Sequence, residues 1–221
     1  HLLKEVALKH GLTVVCMAKP LARTPGSSMH IHQSLVEAGS GRNVFSDEQG
    51  LPTDTFHHFI GGLQACMADF TALFAPNVNS YQRLCHPYAS PNNACWSEDN
   101  RAAGLRIPAS APVSRRVENR LPGADANPYL AIAASLAAGL HGIEQRLQPS
   151  PAIQGEFEVP EHLSLPCTLH AALERLKRST LARELFGSEF IEGYIASKTL
   201  ELSDFFDEIT PWERRVLAAQ A

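Results

Sequence analysis

The sequence lacks two features that would place it in common functional classes. Its five cysteines contain no C-x-x-C pair, and their irregular spacing suggests neither a zinc knuckle nor a disulfide framework. Lysine and arginine total 19 against 23 aspartates and glutamates, so the net charge is -4 and the basic surplus of a non-specific nucleic-acid binder is missing. We therefore expect a cytoplasmic protein, kept in a reducing compartment, with no nucleic-acid partner.

Long apolar runs and the common nucleotide motifs are also missing. The longest near-continuous apolar run covers residues 129–140, which is too short to cross a bilayer, so we expect no membrane partner. The patterns G-x-x-x-x-G-K-[ST], G-x-G-x-x-G and G-x-S-x-G do not occur, which excludes the P-loop, Rossmann and hydrolase-elbow signatures. The start, HLLKEVALKH, has no signal-peptide pattern and no initiator methionine, so we expect a piece of something longer.

The composition that is present is that of an ordinary folded protein. The chain has 221 residues, of which 44% are hydrophobic and 19% are charged, enough for a sizeable core. We predict an α+β core over residues 1–147 and a helical subregion of the same domain over residues 148–221.

Periodicity and turn residues divide the chain into short elements. Strands or extended pieces are predicted over residues 12–18, 29–35, 94–97, 103–107 and 115–121. Helices are predicted over residues 1–10, 54–74, 128–147, 169–177, 189–208 and 211–217. Residues 76–93 are rich in proline and asparagine and are predicted to form a long irregular loop, a kind of segment that often carries function.

Two histidines stand at alternate positions in the second predicted strand. Residues i and i+2 of a strand project from the same face, so His30 and His32 should point the same way. Such a pair suits a metal ion, but it also suits two half-buried histidines with backbone partners. Two histidines do not complete a metal site, so both interpretations stay open.

Arginine is concentrated in the middle of the chain. The cluster comprises Arg83 and, within one window of twenty residues, Arg101, Arg106, Arg115, Arg116 and Arg120. Acidic residues are few there, so we expect several of these guanidinium groups to lack protein partners and to bind a substrate carboxylate or phosphate. The alternative is a solvated basic face.

The alternation Arg116-x-Glu118-x-Arg120 places three charges on one face of a strand. It predicts either a simple ion-pair network or a metal-ligating carboxylate beside two anion-binding arginines. The second arrangement suits phosphoryl transfer, because the metal and the arginines would neutralise the charge that develops on the phosphate.

Four strings, in this order, resemble the C-terminal catalytic half of the glutamine synthetase family. They are KPLARTPGSSMHIHQSL (residues 19–35), NSYQRL (residues 79–84), NRAAGLRIP (residues 100–108) and RRVENRLPGADANPYLAIAA (residues 115–134). The tail, with FIEGYIASKTLELSDFF and PWERRVL, is similar to that family as well. The resemblance implies an antiparallel sheet flanked by helices, with a helical C-terminal tail.

The resemblance also implies a reaction. In this family ATP phosphorylates the γ-carboxylate of glutamate, and an amine then displaces phosphate from γ-glutamyl phosphate. The implied cofactors are ATP and Mg²⁺ or Mn²⁺, and the implied substrates are glutamate and either ammonia or an organic amine. Family members self-associate into rings, so we expect a homo-oligomer acting in nitrogen metabolism, in glutamine biosynthesis or in polyamine metabolism.

Site residues follow from the same resemblance, position by position. The metal ligands would be His30 and Glu118. The residues against ATP would be His32, Ser34, Arg106 and Arg116. The residues that hold glutamate and the phosphoryl group would be Gly26, Arg83, Arg101 and Arg120, and of these Arg101 and Arg120 are the predicted catalytic residues.

This sequence departs from the family pattern at three positions. Ammonia-using members have a glutamate in the loop after NSYxRL, whereas Ala89 stands at that position here. A small side chain removes the carboxylate that attracts ammonium and leaves room for a larger group, so we expect an organic amine as acceptor, as in the γ-glutamylpolyamine synthetase branch. Pro25 and Val113 replace an asparagine and a lysine of the family.

Glutamates that complete the metal sites precede the catalytic strings in this family, and none is found here. Two protein ligands are too few for tight divalent binding. We therefore expect residues 1–221 alone to be inactive or nearly so. Two alternatives are a family member that binds glutamate or nucleotide without turnover, in a structural or regulatory role, and the weaker one of a phosphotransferase.

Overall fold

The computed structural model describes residues 2–85, 90–218 and 220. The four described strands are β1 (Ile31–Gln33), β2 (Trp96–Glu98), β3 (Leu105–Ile107) and β4 (Val117–Asn119). The described α-helices are α1 (Leu2–Lys9), α2 (Asp54–Met67), α3 (Thr71–Phe74), α4 (Val78–Leu84), α5 (Pro128–Glu144), α6 (Leu169–Arg178), α7 (Thr180–Phe186), α8 (Ser188–Asp207) and α9 (Pro211–Leu217). No helix in these ranges is both long and apolar enough to cross a membrane.

The strands form one sheet with the order β1-β4-β3-β2. Strand β4 pairs antiparallel with both β1 and β3, whereas β2 and β3 run parallel. The expected antiparallel sheet is therefore mixed. Sequence pattern located the four described strands but did not predict that β2 and β3 run parallel, because side chains alternate in the same way along a parallel and an antiparallel strand.

Helix α2 begins at a clear N-cap and buries one face. The Thr53 side chain accepts a hydrogen bond from the Phe56 backbone N–H. Phe56 and Phe59 of the apolar face pack against Phe45, with ring centroids 5.6 and 5.2 Å apart. This cluster forms part of a core that reaches Leu105 and Leu121.

Helix α5 packs closely against α2. Asn127 caps α5 by accepting hydrogen bonds from the Tyr129 and Leu130 N–H groups, and Pro128 occupies the first turn, where no backbone donor is needed. Gly62 of α2 faces Gly142 of α5, and a Cβ on Gly62 would lie 2.6 Å from the Gly142 Cα. The two backbones approach because neither position carries a side chain.

The predicted strand over residues 12–18 is wrong. In this segment Leu12, Val15 and Met17 are exposed and only Ala18 is buried. An apolar, β-branched run forms a strand when a neighbouring strand pairs with it and covers one face. Among the described residues no strand pairs with it, so the run stays irregular.

Two short helices lie where the pattern predicted none. Helix α4 occupies the segment expected to be an irregular loop, and it starts at a capping box in which the Asn77 N–H donates to the Ser80 hydroxyl. Helix α7 follows α6 after Ser179, whose hydroxyl accepts from the Ala182 N–H. Both were missed because a helix of seven residues shows little periodicity.

Helices α7 and α8 pack against the core. Phe186 lies edge-on to Phe70, with centroids 5.3 Å apart, and the Tyr194 hydroxyl donates to the Ala72 carbonyl at 2.7 Å. The division of the chain after residue 147 stays a prediction.

The glycine contact between α2 and α5 can be tested by adding one methyl group. We expect Gly62→Ala to lower the free energy of unfolding by about 2 kcal/mol, because the new Cβ would overlap the α5 backbone. Urea denaturation measures the change. The matched control is Gly193→Ala in α8, where a Cβ would meet nothing within 4 Å, and it should leave stability unchanged or raise it by about 0.5–1 kcal/mol. Equal losses in the two variants would contradict close helix contact as the cause.

Candidate active site

One row of side chains crosses the sheet. Glu118 on β4 is in register with His32 on β1 and with Arg106 on β3. Residues directly opposite one another in neighbouring strands lie close enough for their side chains to interact. The fold therefore brings together residues that are far apart in the chain.

The Glu118 carboxylate is the centre of this row. Its Oε2 accepts from Arg106 Nη1 at 2.8 Å, and its Oε1 accepts from Arg120 Nη1 at 2.8 Å. The same Oε1 lies 2.9 Å from His30 Nδ1 and 3.9 Å from His32 Nε2. The side chain is only 3% exposed. Both histidines thus point to the same face, as their spacing predicts.

The charges around Glu118 keep it ionised. Burial acts to raise the pKa of this carboxyl, but the hydrogen bond from Arg106 and the charge of Arg120 hold the pKa below its ordinary value. Arg106 also donates to the exposed Asp99 carboxylate, and this hydrogen bond lowers the pKa of Asp99. The site holds a permanent carboxylate between two permanent cations.

His30 is favoured in its neutral form. Partial burial and the nearby Arg120 charge lower the pKa of His30, although Glu118 acts in the opposite direction. Its Nε2 lies 2.8 Å from the Ser28 hydroxyl, and its Nδ1 faces Glu118. A neutral imidazole beside an ionised carboxylate is a donor set that divalent cations accept.

These two residues fit part of a metal site. Across the described ranges, no three His, Cys, Asp or Glu side chains are grouped so that they could hold a metal ion together. His30 and Glu118 would therefore supply two ligands, and the remaining ligands of a cation would be water, substrate phosphate or residues outside the described part of the chain.

Two buried arginines each have an N–H group that no described residue accepts a hydrogen bond from. Arg83 is 2% exposed, donates to the Leu121 carbonyl and lies 3.4 Å from the Ser90 hydroxyl, and burial lowers its pKa to about 10. Within the described residues, the Nε–H groups of Arg83 and Arg120 have no acceptor. Since an unpaired buried donor is costly, this pair suits an anionic ligand.

Gly26 lies directly against Arg83. A Cβ at this position would be 2.7 Å from the Arg83 Cγ and 2.5 Å from the Ala18 carbonyl oxygen. Glycine therefore allows the loop before β1 to approach the Arg83 side chain. Two predicted glutamate-binding residues that are distant in sequence lie next to each other.

The expectation that several arginines lack protein partners is wrong for most of them. Arg115 donates to the Ser46 hydroxyl and the Gly50 carbonyl and lies over the Phe56 ring, so it supports the fold. Arg116 donates to His32 Nδ1 at 3.2 Å. Arg101 is exposed, and among the described residues it forms neither a hydrogen bond nor an ion pair, although its charge acts on Asp99.

Three other positions that the sequence singled out are exposed. Ser34 is exposed directly after β1, and Pro25 is exposed beside Gly26. Val113 is exposed, and its carbonyl accepts from the Asn43 side chain at 3.1 Å. Ala89 lies outside the described residues.

The sequence interpretation missed the polar group that holds α4. The Asp125 carboxylate accepts from the Ser80 hydroxyl at 2.6 Å and from the Asn77 side chain at 2.9 Å. Its charge also acts to raise the pKa of Arg83, against the effect of burial. Asn77-x-x-Ser80 is a helix-start pattern, so the signal was present in the sequence.

Comparisons with known proteins agree on one family. A family model described as the catalytic domain of glutamine synthetase matches residues 1–217. Glutamate–isopropylamine ligase of a Pseudomonas species is 39% identical over 216 residues, which are 96% of this chain and 47% of that protein. Gamma-glutamylethanolamide synthetase GlnA4 of Streptomyces coelicolor is 40% identical over 212 residues, which are 96% of this chain and 45% of that protein.

A further curated relative and a solved structure match the same family. Glutamine synthetase of Thermus thermophilus is 39% identical over 220 residues, covering 95% of this chain and 49% of that protein. A structure described as "Apo GmaS without ligand" superposes with a TM-score of 0.84 at 35% identity, over 96% of this chain and 50% of that one. The chain spans about half the length of the curated relatives that it matches.

Removing the charge of the buried Glu118 should lower the free energy of unfolding more than removing the charge of the exposed Asp99. We expect Glu118→Gln to lower the free energy of unfolding by about 3 kcal/mol, because the buried Arg120 would lose its counterion. The control, Asp99→Asn, removes a carboxylate that is exposed and should change stability little. Urea denaturation of both variants measures the difference. Similar small losses would show that the Glu118 charge does not hold the cluster together.

Proposed function

Because the chain belongs to the glutamine synthetase family, we propose that the protein is an ATP-dependent glutamate–amine ligase. The observation that supports this best is the cross-strand row in which Glu118 lies between Arg106 and Arg120 and against His30. Moving a phosphoryl group onto a carboxylate gathers negative charge in one place. The guanidinium groups of Arg106 and Arg120 in this row are already in position to stabilise that charge before a substrate binds.

Glutamate would be held by the buried arginines. Arg83 and Arg120 each have an unused Nε–H within the described residues, and a substrate carboxylate would supply the missing acceptors. Gly26 would offer a backbone contact beside Arg83. Arg101, which has no ion pair in the described part of the chain, would approach the phosphoryl group during transfer.

ATP would lie on the side of the cross-strand row away from the residues assigned to glutamate. His32, Ser34, Arg106 and Arg116 are the residues we assign to ATP. His30 and Glu118 would hold Mg²⁺ or Mn²⁺, which would neutralise phosphate charge when bound. The paired contacts Arg106–Glu118 and Arg116–His32 keep these guanidinium groups in place without the substrate.

The second half of the reaction requires an unprotonated amine. Its nitrogen forms a bond to the γ-carbon as the bond from that carbon to the phosphate oxygen breaks, and the nitrogen then loses a proton. We propose an organic amine rather than ammonia as the acceptor. One relative at 39% identity is named for the amine isopropylamine, and another at 40% identity is named for the product γ-glutamylethanolamide. Ala89 supports the same choice in the sequence.

Assembly and location are further parts of the proposal. We propose a ring-type homo-oligomer acting in the cytoplasm. All five cysteines are free in this structure. The non-catalytic alternative is not favoured, since the similar proteins are named as ligases and synthetases.

The assay that tests the function measures phosphate release by the full-length protein. Release should require ATP, Mg²⁺, glutamate and an amine together. We expect Arg101→Ala to lower kcat by about 100-fold or more, because a cation at the transferred phosphoryl group is removed. The control is Arg178→Ala on α6, an exposed side chain far along the chain from the row, which should keep full activity. Turnover that does not depend on glutamate would contradict the ligase proposal.

The acceptor preference can be tested at the position that departs from the family. We expect Ala89→Glu in the full-length protein to raise kcat/KM for ammonium and to lower it for organic amines, because a carboxylate would attract ammonium and occupy space. Rates with ammonium, ethanolamine and putrescine measure the ratio, and Ala89→Gln separates the effect of charge from that of size. A wild-type enzyme that makes glutamine from ammonium and ignores both organic amines would contradict this assignment.

A further inference from the structure

Arg101 lies in the turn over residues 99–104, which connects β2 to β3. The residue is exposed and lines a cavity of about 720 Å³. Among the described residues, no hydrogen bond or ion pair holds its guanidinium group. The position of this group therefore depends on where the backbone of the turn places the Arg101 Cα.

A buried asparagine holds the second half of this turn. Asn93 precedes β2 and is only 4% exposed. Its Nδ2 donates to the Ala102 carbonyl at 3.0 Å, and its Oδ1 accepts from the Gly104 N–H at 3.0 Å and from the Cys95 N–H at 3.1 Å. One side chain thus fixes the residue directly after Arg101 and the last residue of the turn.

The amide group of Asn93 matches these three partners in both chemistry and size. An amide nitrogen donates and an amide oxygen accepts two hydrogen bonds, so one carbonyl and two N–H groups are all satisfied. Aspartate has the same shape but no donor when ionised, and leucine has neither donor nor acceptor. Because the group is buried, each unsatisfied polar partner would be costly.

Gly104 allows the turn to approach Asn93 and joins it to a second arginine of the site. A Cβ on Gly104 would lie 1.8 Å from the Asn93 carbonyl oxygen, so a side chain there would push the two segments apart. The Gly104 carbonyl accepts from the Arg120 N–H at 2.9 Å. The backbone that follows Arg101 is therefore attached to Arg120, which we also assign to glutamate and the phosphoryl group.

A second asparagine holds the first half of the turn. Asn100 Oδ1 accepts from the Ala102 N–H at 2.9 Å, and its Nδ2 donates to the Gly155 carbonyl at 2.9 Å. Asn100 and Ala102 are the two chain neighbours of Arg101. The backbone on both sides of Arg101 is thus held by side-chain hydrogen bonds.

We propose that Asn93 and Asn100 are positioning residues, which fix the turn so that Arg101 reaches the transferred phosphoryl group. In this role the two asparagines act through Arg101 and do not contact the phosphoryl group themselves. A displacement of about 1 Å in a reacting group can cost about 100-fold in rate. Arg101 is assigned to the phosphoryl group by the proposed ligase function, so the role of the asparagines rests on that function.

The experiment replaces Asn93 by a residue of the same shape in the full-length enzyme. Asn93→Asp keeps an acceptor for both N–H groups but replaces the amide donor with an oxygen, which the Ala102 carbonyl oxygen repels. We expect kcat to fall about tenfold, because the turn shifts. The KM for ATP should stay unchanged, since no residue assigned to ATP lies in the turn.

The decisive measurement is the same substitution in the Arg101→Ala background. There it should change kcat by less than about twofold, because no guanidinium group is left to position. A purely structural role for Asn93 would instead lower kcat by the same factor in both backgrounds. Steady-state phosphate release with ATP, glutamate and either ethanolamine or putrescine measures kcat for the wild type, the two single variants and the double variant.

Asn43 provides the matched control. It is also buried, its Oδ1 accepts from the Phe45 N–H at 2.9 Å, and its Nδ2 donates to the Val113 and Arg115 carbonyls at 3.1 and 2.8 Å. Asn43→Asp therefore removes an equivalent donor from a different loop. Whatever its effect on kcat, the factor should be the same with and without Arg101→Ala.

A second substitution tests the turn if Asn93→Asp folds poorly. Asn100→Ala removes the hydrogen bonds to Ala102 and Gly155 from a half-buried position, where a large loss of stability is not expected. It should lower kcat in the wild type and have little further effect in the Arg101→Ala background. Circular dichroism and urea denaturation of each variant check that it folds.

The kinetic outcomes distinguish the positioning role from the ligase function. Losses from Asn93→Asp and Asn100→Ala that multiply with the loss from Arg101→Ala, as for Asn43→Asp, would overturn the positioning role and leave the ligase proposal intact. An unchanged kcat in both asparagine variants would overturn it as well. A wild-type enzyme without phosphate release that depends on glutamate and an amine would overturn both.

Discussion

The site depends on one buried carboxylate that is shared between two guanidinium groups. Glu118 lies on β4, between β1 and β3, so both neighbouring strands can present side chains to it. Burial alone would favour the protonated acid, and the contacts from Arg106 and Arg120, together with the nearby His30, reverse that preference. In return, the carboxylate holds two cations in a confined space where they would otherwise repel each other. The strand order therefore determines which charged side chains surround Glu118, and these charges keep Glu118 ionised.

Sequence pattern predicted the elements that carry this row better than those that surround it. His30-x-His32 and Arg116-x-Glu118-x-Arg120 follow strand alternation, and the structure places their side chains on one face, as expected. The glutamine synthetase family and its α+β fold, expected from four strings, are confirmed by the comparisons. Pattern could not show that β2 runs parallel to β3, nor that residues 12–18 lack a strand partner, because both depend on neighbours distant in the chain.

The arginines show why the composition of a window does not determine the partners of its members. Few acids near Arg101–Arg120 suggested unpaired cations, yet one glutamate serves two arginines, and backbone carbonyls, hydroxyls and a histidine serve others. Every residue has a backbone carbonyl that can accept a hydrogen bond, so these acceptors cannot be counted from the amino-acid composition. Arg115 is the clearest case: it lies in the same window, but its contacts with Ser46, Gly50 and the Phe56 ring place it in the framework. The roles of the remaining residues stay predictions.

The segment between α5 and α6 (the connector) is attached to the sheet region independently of the cross-strand row. The Asn100 side chain donates to the Gly155 carbonyl at 2.9 Å, and the Ser97 hydroxyl donates to the Ile153 carbonyl at 2.6 Å. The Ile153 N–H donates to the Trp96 carbonyl at 3.0 Å. The connector can vary in sequence without disturbing Glu118, because its attachments to β2 use mainly backbone carbonyl and N–H groups on the connector side. Substitutions in the connector side chains are therefore expected to leave the cross-strand row around Glu118 intact.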